Sequence, residues 1–236
     1  MKDTHTQLFL QLQKRTKEIT KGLHLNLSDK RIAELSSAHI LKLQELIKSF
    51  ILLCHAELQI YFELICLKII ANSMAKFEGA GEIVKPLSSL LSTGITNVSM
   101  PLSFGDSPNT DSGLGNRINK FVETYKEQLS NNNGISGRSI FKMFGYLGFT
   151  KKEVGSLLID LLNSHSSKRC KIAHSHPDIN SYVYSISDER ESIDSILREV
   201  SKLDSAIIKK GYLEASESFD DEVRVLTILR DKRNAF

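Results

Sequence analysis

Tryptophan is absent from this chain of 236 residues, and proline, cysteine and glycine are scarce, with four, three and 13 residues. Proline and glycine interrupt regular backbone, so their scarcity favours long helices. No cysteine pair has the CxxC spacing of a metal or redox site, and Cys54, Cys66 and Cys170 are expected to be reduced thiols in a cytoplasm. The polar start of the sequence, residues 1–5, lacks the apolar run of a signal peptide.

Charge of either sign is also nearly balanced. The chain has 31 lysines and arginines against 28 aspartates and glutamates, a formal net charge of +3. Proteins that coat nucleic acid are usually far more basic, so any contact with nucleic acid has to come from a local patch. The hydrophobic fraction of 41% is sufficient for a core, and the length fits one large domain with extensions.

The most apolar segment, residues 50–70, is long enough to suggest a membrane span. It contains His55, Glu57, Gln59 and Glu63, and that many polar groups are costly in lipid. We therefore predict a helix buried in protein and no membrane partner.

Apolar periodicity predicts an all-α fold. A long helical region over 29–77 contains neither proline nor glycine, with an expected break near Ser36 and an end at Gly79 and Gly81. Thr150 and Glu153 have the spacing of a capping box. The other predicted helices cover about 6–23, 82–91, 114–129, 139–145, 150–175 (with Leu157, Leu158, Leu161 and Leu162 inward), 187–210 and 220 onward. A long loop over 92–115 separates two of them, and residues 182–184 are the only strand candidate.

The candidate catalytic residues lie in residues 167–176, the basic and histidine-containing end of a predicted helix. Arg169 offers a planar fork for a phosphate, and His174 exchanges a proton near neutral pH. Cleavage of RNA through its own 2′-hydroxyl needs these two functions, a cation at the charged phosphorane and a group that moves protons. That reaction needs no metal, and we expect neither a metal nor another cofactor.

The run from Arg169 to His174 resembles the motif of an arginine, four residues and a histidine found in the HEPN superfamily, in the RiboL-PSP-HEPN and MAE-like branch. Residues 141–149 resemble the short helix and glycine turn before the motif helix. Residues 54–63 resemble the first core helix of that family. The resemblance covers about residues 39–210, which predicts a HEPN bundle over 39–211, an N-terminal extension over 1–38 and a C-terminal helix over 212–236.

The resemblance implies a homodimer in which two motifs face each other in one cleft. Family members cut single-stranded or transfer RNA, leaving a 2′,3′-cyclic phosphate, often as toxins or antiviral effectors controlled by an antitoxin or regulatory partner. Arg169 and His174 are then catalytic, with Cys170 and Lys171 as supporting residues. Other members only bind, so the alternative is a non-catalytic HEPN module that binds RNA or a partner protein. A third interpretation is a helical adaptor without nucleic acid.

Helix geometry gives a separate reason for a dimer. At 100° per residue, positions five apart point roughly 140° away from each other, so one straight helix places Arg169 and His174 poorly. A bend near Pro177 or a motif from a partner subunit would bring the two groups together.

Several residues allow two interpretations. Glu57 lies among apolar neighbours and needs a cationic partner, either Arg169, which it would orient, or any nearby base in a structural ion pair. His55, Gln59 and Glu63, four apart, predict a bundle or dimer contact. Arg169 is otherwise a surface arginine, and His174 a cation at a helix C-terminus.

Less favoured alternatives involve the same segment. Cys170 and His174, four apart, could form a thiol–imidazole dyad. A metal cluster of His165, Cys170, His174 and His176 matches no familiar spacing. A basic patch for the RNA backbone or a solvated helix face would involve Lys168, Lys171, Lys151 and Lys152. The basic end of the chain, residues 230–236, is interpreted as a surface tail or partner contact.

Overall fold

The structure is a computed structural model that describes residues 5–25, 31–32, 34–92, 113–174 and 183–215. Over these residues it contains eight helices and no strand, which confirms the predicted all-α class. The helices are α1 (Gln7–Gly22), α2 (Ser37–Ala80), α3 (Lys85–Ser92), α4 (Leu114–Ser130), α5 (Gly137–Tyr146), α6 (Lys151–Val154), α7 (Ser156–His174) and α8 (Ile186–Lys209).

Helix α2 is the centre of the bundle. It has 44 residues, about 65 Å at 1.5 Å per residue, and packs against α1, α3, α4, α5, α7 and α8. Ser36 is extended and begins the helix at the predicted break, and Gly81 ends it with a φ of 69°. Helix α2 is long enough to cross a membrane, and its most apolar window has a mean hydropathy of 1.7. However, 61% of that window is buried inside the protein.

Helix α1 belongs to the same core as the predicted bundle. Leu8, Phe9 and Leu12 are buried against the central helix. Thr6 caps α1, and both its backbone N–H and its hydroxyl donate to the buried carboxylate of Asp204 in α8, at 2.8 and 2.6 Å. The segment predicted as an N-terminal extension is therefore attached to the bundle both by apolar packing and by hydrogen bonds.

In the region from α5 to α7, the predicted helix cap is present, but the predicted helix over 150–175 is not continuous. The capping box of Thr150 and Glu153 is formed, as predicted. The expected single helix over 150–175 is instead divided at Gly155, whose φ is 99°. Leu158 and Leu162 point inward, whereas Leu157 is 56% exposed, because it lies about 100° around the helix from the buried face.

Some predictions lie largely or wholly outside the described residues, namely the loop over 92–115 and the helix from about 220. Of the strand candidate, residue 182 is outside as well, and Val183 and Tyr184 form no strand. The backbone of Tyr184 instead exchanges two hydrogen bonds with the side-chain amide of Gln44, at 2.8 and 2.9 Å. This contact attaches the start of α8 to the central helix.

Candidate functional site

Helix α7 presents two kinds of surface. Its inner side buries Leu158, Ile159, Leu162 and His165 against the bundle. Its last two turns carry the motif, with Arg169 partly exposed and His174 exposed at the final helical residue. The position of the motif on a helix end therefore agrees with the sequence prediction.

A buried pair of histidines lies close to Arg169. The rings of His55 on α2 and His165 on α7 stack with their centroids 5.5 Å apart. Burial and then the positive charge of Arg169 lower the pKa of His55 to about 4. Burial, followed by the charges of His55 and Lys168, lowers the pKa of His165 to about 3. Both imidazoles are therefore neutral near pH 7, and Arg169 provides the positive charge at this point.

Arg169 has no acidic partner among the described residues. Over the residues that the structure describes, no carboxylate forms an ion pair with its guanidinium. Lys168, one residue earlier, behaves differently, because its ammonium donates to Glu189 Oε1 at 2.7 Å and Glu189 is 4% exposed. The predicted role of Lys168 in an RNA-binding patch is corrected by this pair, since the charge is already engaged with α8.

Glu57 does not support Arg169. Its Oε1 accepts hydrogen bonds from Nε and Nη2 of Arg15 on α1, at 3.3 and 3.2 Å. Arg15 also donates to Glu18 on its own helix. The structural ion pair was the correct interpretation, and the proposed support of Arg169 was wrong, because Glu57 faces α1 and Arg169 faces the histidine pair.

The polar stripe on α2 makes a contact within the bundle. The amide of Gln59 donates to Glu63 Oε1 at 2.8 Å and to the carbonyl of Asn132 at 3.0 Å. Asn132 in turn donates to Glu63 at 3.1 Å. The loop after α4 therefore satisfies the buried carboxylate, and His55 at the start of the stripe continues the contact towards Gly134.

The other predicted site residues are solvent-exposed. Cys170, Lys171 and His174 are all exposed on α7, and within the described part of that helix no hydrogen bond joins Cys170 to His174. His165 is fully buried away from them, and residue 176 is not described. No group of three or more histidine, cysteine or acidic side chains is placed to hold a metal among the described residues.

One protomer separates Arg169 from His174. The chain is α-helical through His174, so no bend over the described turns rotates the two side chains together. Arg169 adjoins the histidine pair, while His174 is exposed to solvent. Within the described part of one protomer, the two side chains therefore do not form a common site.

The site also contains a residue that sequence reasoning assigned wrongly. His165 lies four residues before Arg169 and so shares its helix face. That spacing was a usable signal, but His165 was considered only as a metal ligand.

Comparisons with protein-family models, with curated proteins and with solved structures give no match to this chain. What the protein does is therefore inferred from the residues of α2, α7 and α8.

Proposed function

We propose that the protein is a metal-independent RNA endonuclease of the HEPN type, which acts as a cytoplasmic homodimer. Arg169 binds the scissile phosphate and stabilises the charge that develops on it. His174 of the other subunit transfers protons as the 2′-hydroxyl attacks, which gives a 2′,3′-cyclic phosphate. The substrate class is single-stranded or transfer RNA.

The guanidinium of Arg169 carries this proposal. An arginine that is partly buried beside two neutral imidazoles, with no acidic partner among the described residues, keeps its full charge for an anion. A phosphate is the anion that matches its planar fork. The exposed His174 at the end of the same helix supplies an imidazole that can accept and donate protons.

Exposed apolar side chains support the homodimer. Leu52 and Leu53 on α2 are 36% and 45% exposed, and Leu52 lies one turn before His55 on the helix. Ala56, one helical turn after Leu52, is also exposed. Such a stripe is suited to a second copy of the chain, which would bring its own motif to the cleft.

The first experiment is incubation with transfer RNA in EDTA, followed by gel analysis of the products. We expect cleavage to fall at least a hundredfold in Arg169→Ala and in His174→Ala. The exposed residues Arg138 and His39 give matched controls, Arg138→Ala and His39→Ala, which should keep full activity. Binding without cleavage in the wild type would favour the non-catalytic module, and neither binding nor cleavage would favour the adaptor.

Mixing of subunits tests the composite cleft. The cleft of a dimer contains two pairs, each formed by Arg169 of one subunit and His174 of the other. In a heterodimer of Arg169→Ala and His174→Ala chains, one pair lacks both groups and the other pair is complete. Mixing two inactive variants should therefore restore up to about half of the activity per mixed dimer. A monomer by light scattering, or no restoration after mixing, contradicts the proposal.

A role as toxin or antiviral effector under the control of a partner protein is part of the proposal. Expression of the wild-type chain should then slow growth of the host, and Arg169→Ala should relieve the effect. Normal growth with a soluble, RNA-cleaving protein would separate this biological role from the chemistry.

A further inference from the structure

A groove runs between α1 and α8, on the face where the first and last described helices meet. Its volume is about 800 Å³. Its base is apolar, formed by the partly exposed Leu197 above the buried side chains of Phe50 and Ile193. Neither helix was part of the predicted catalytic site, and the small net charge of the chain gave no sign of this surface.

The walls of the groove are mainly basic. Lys17 lines it from α1, and Arg190, Arg198 and Lys202 line it from α8, against one carboxylate, Asp194. Lys202 is held by Glu199, with 2.6 Å between Nζ and Oε1. Across the described residues no carboxylate forms an ion pair with the other three cations, and Arg198 donates only to the hydroxyl of Ser195. Three cations therefore have their charge available.

The cations form a line. The two available arginines, Arg190 and Arg198, are eight residues apart on one face of α8, which corresponds to about 12 Å. A line of charges fits a ligand whose charge repeats along its length better than a compact ligand with one charged group. Two of the three available cations are arginines, whose planar forks match phosphate oxygens.

We infer that the groove between α1 and α8 binds the phosphodiester backbone of a single-stranded RNA, with the bases towards the apolar base of the groove. A single strand carries both features at once, a repeated charge and flat apolar faces beside it. An acidic peptide carries only the repeated charge. The identity of the nucleic acid as RNA rests on the proposed function, whereas the groove and its charges do not.

Fluorescence anisotropy with a labelled 12-nucleotide oligouridylate in EDTA tests the inference. The protein carries His174→Ala, so that the probe stays intact. The variant Lys17→Gln/Arg190→Gln/Arg198→Gln should weaken binding at least tenfold at about 50 mM salt. It should also reduce the slope of log K against log salt by about 2, because each phosphate contact to a single strand contributes about 0.7.

A matched triple variant, Arg117→Gln/Arg138→Gln/Lys142→Gln, removes three exposed cations of α4 and α5 and should bind within twofold of the parent. The single exposed substitution Arg198→Gln serves if the groove triple fails to fold, and it should weaken binding about threefold and lower the slope by about 0.7. Equal weakening by both triples, an unchanged slope, or no binding of the probe to the parent overturns the inference. So does binding of polyglutamate in preference to the oligonucleotide.

The two proposals fail separately. Binding that depends on the groove, together with no cleavage by the wild type, would remove the nuclease and keep the groove. Cleavage whose KM is unchanged in the groove variant would do the reverse. If both are correct, the groove variant in the wild-type background should raise KM with little change in kcat.

Discussion

The imidazoles of His55 and His165 stack with their centroids 5.5 Å apart and their planes inclined by 22°. Nδ1 of His55 and both ring nitrogens of His165 are buried without a hydrogen-bond partner among the described residues. The pair joins α2 to α7 through ring contact alone, close to the partly exposed Arg169. The two histidines thus pack like apolar side chains, although imidazole groups ionise easily in water.

This pair predicts a loss of stability in mild acid. The pKa values of about 4 and 3 lie below the ordinary value of 6.5, so below pH 6.5 the unfolded chain takes up protons that the folded protein does not. The free energy of unfolding should therefore decrease as the pH falls from 6.5 to 4.5, by roughly 2 kcal/mol per histidine. Urea denaturation across this range measures it.

Substitution of one histidine isolates the effect from other acid-sensitive groups. His165→Leu should remove about half of the pH-dependent loss, whereas the exposed control His39→Leu should leave it unchanged. Identical pH profiles for the wild type and His165→Leu would show that the pair is not the cause.

Asp204 should be among the most sensitive positions for stability. Its buried carboxylate accepts two hydrogen bonds from Thr6 and one from the Tyr61 hydroxyl at 3.0 Å. Asp204→Asn places amide donors opposite these donors and should cost about 3 kcal/mol, which lowers Tm by about 9 °C in a domain of this size. The exposed control Asp160→Asn should shift Tm by less than about 2 °C in the same scan. A similar Tm for both variants would argue against the network.

Two glycines predict effects of opposite sign. Gly148 has a φ of 79°, and a Cβ there would lie 2.9 Å from Cβ of Ser89 on α3. Gly148→Ala should therefore destabilise by at least about 2 kcal/mol. Gly79 lies in the last turn of α2 with open space around it, so Gly79→Ala should be neutral or stabilise by up to about 0.5 kcal/mol. Chemical denaturation of the two variants decides, and the same sign for both would contradict the expectation.

The pair of Arg15 and Glu57 should matter little. Arg15 is 57% exposed, and exposed ion pairs contribute less than about 1 kcal/mol because water and salt screen them. A double-mutant cycle with Arg15→Gln and Glu57→Gln should give a coupling energy of about 0.5 kcal/mol. RNA cleavage by Glu57→Gln should equal that of the wild type. A large loss of activity in this variant would restore Glu57 to the site.

Sequence predicted the features that depend on neighbours a few positions away. The break at Ser36, the end at Gly81 and the capping box at Thr150 are each set by residues within about one helical turn. The division at Gly155 was missed because a single glycine inside a helical pattern is usually tolerated.

The sequence did not predict which charged residues pair when they lie far apart in the chain. Glu57 meets a partner 42 positions away, and Lys168 meets one 21 positions away. Periodicity shows that such side chains need a partner but not which one, because any nearby side chain of opposite charge satisfies the same requirement. The stacking of His55 on His165 depends on the same kind of tertiary contact, and so does the groove.

The polar contacts of the central helix have a further consequence. Among the described residues, most of the long-range side-chain hydrogen bonds join a residue before position 93 to one after position 112, for example Thr6 to Asp204, Gln44 to Tyr184 and Gln59 to Asn132. The two parts of the chain also share one apolar core. A protease cut between positions 92 and 113 should thus yield two fragments that stay associated and lose their helicity together on heating, as one cooperative unit made of two polypeptides.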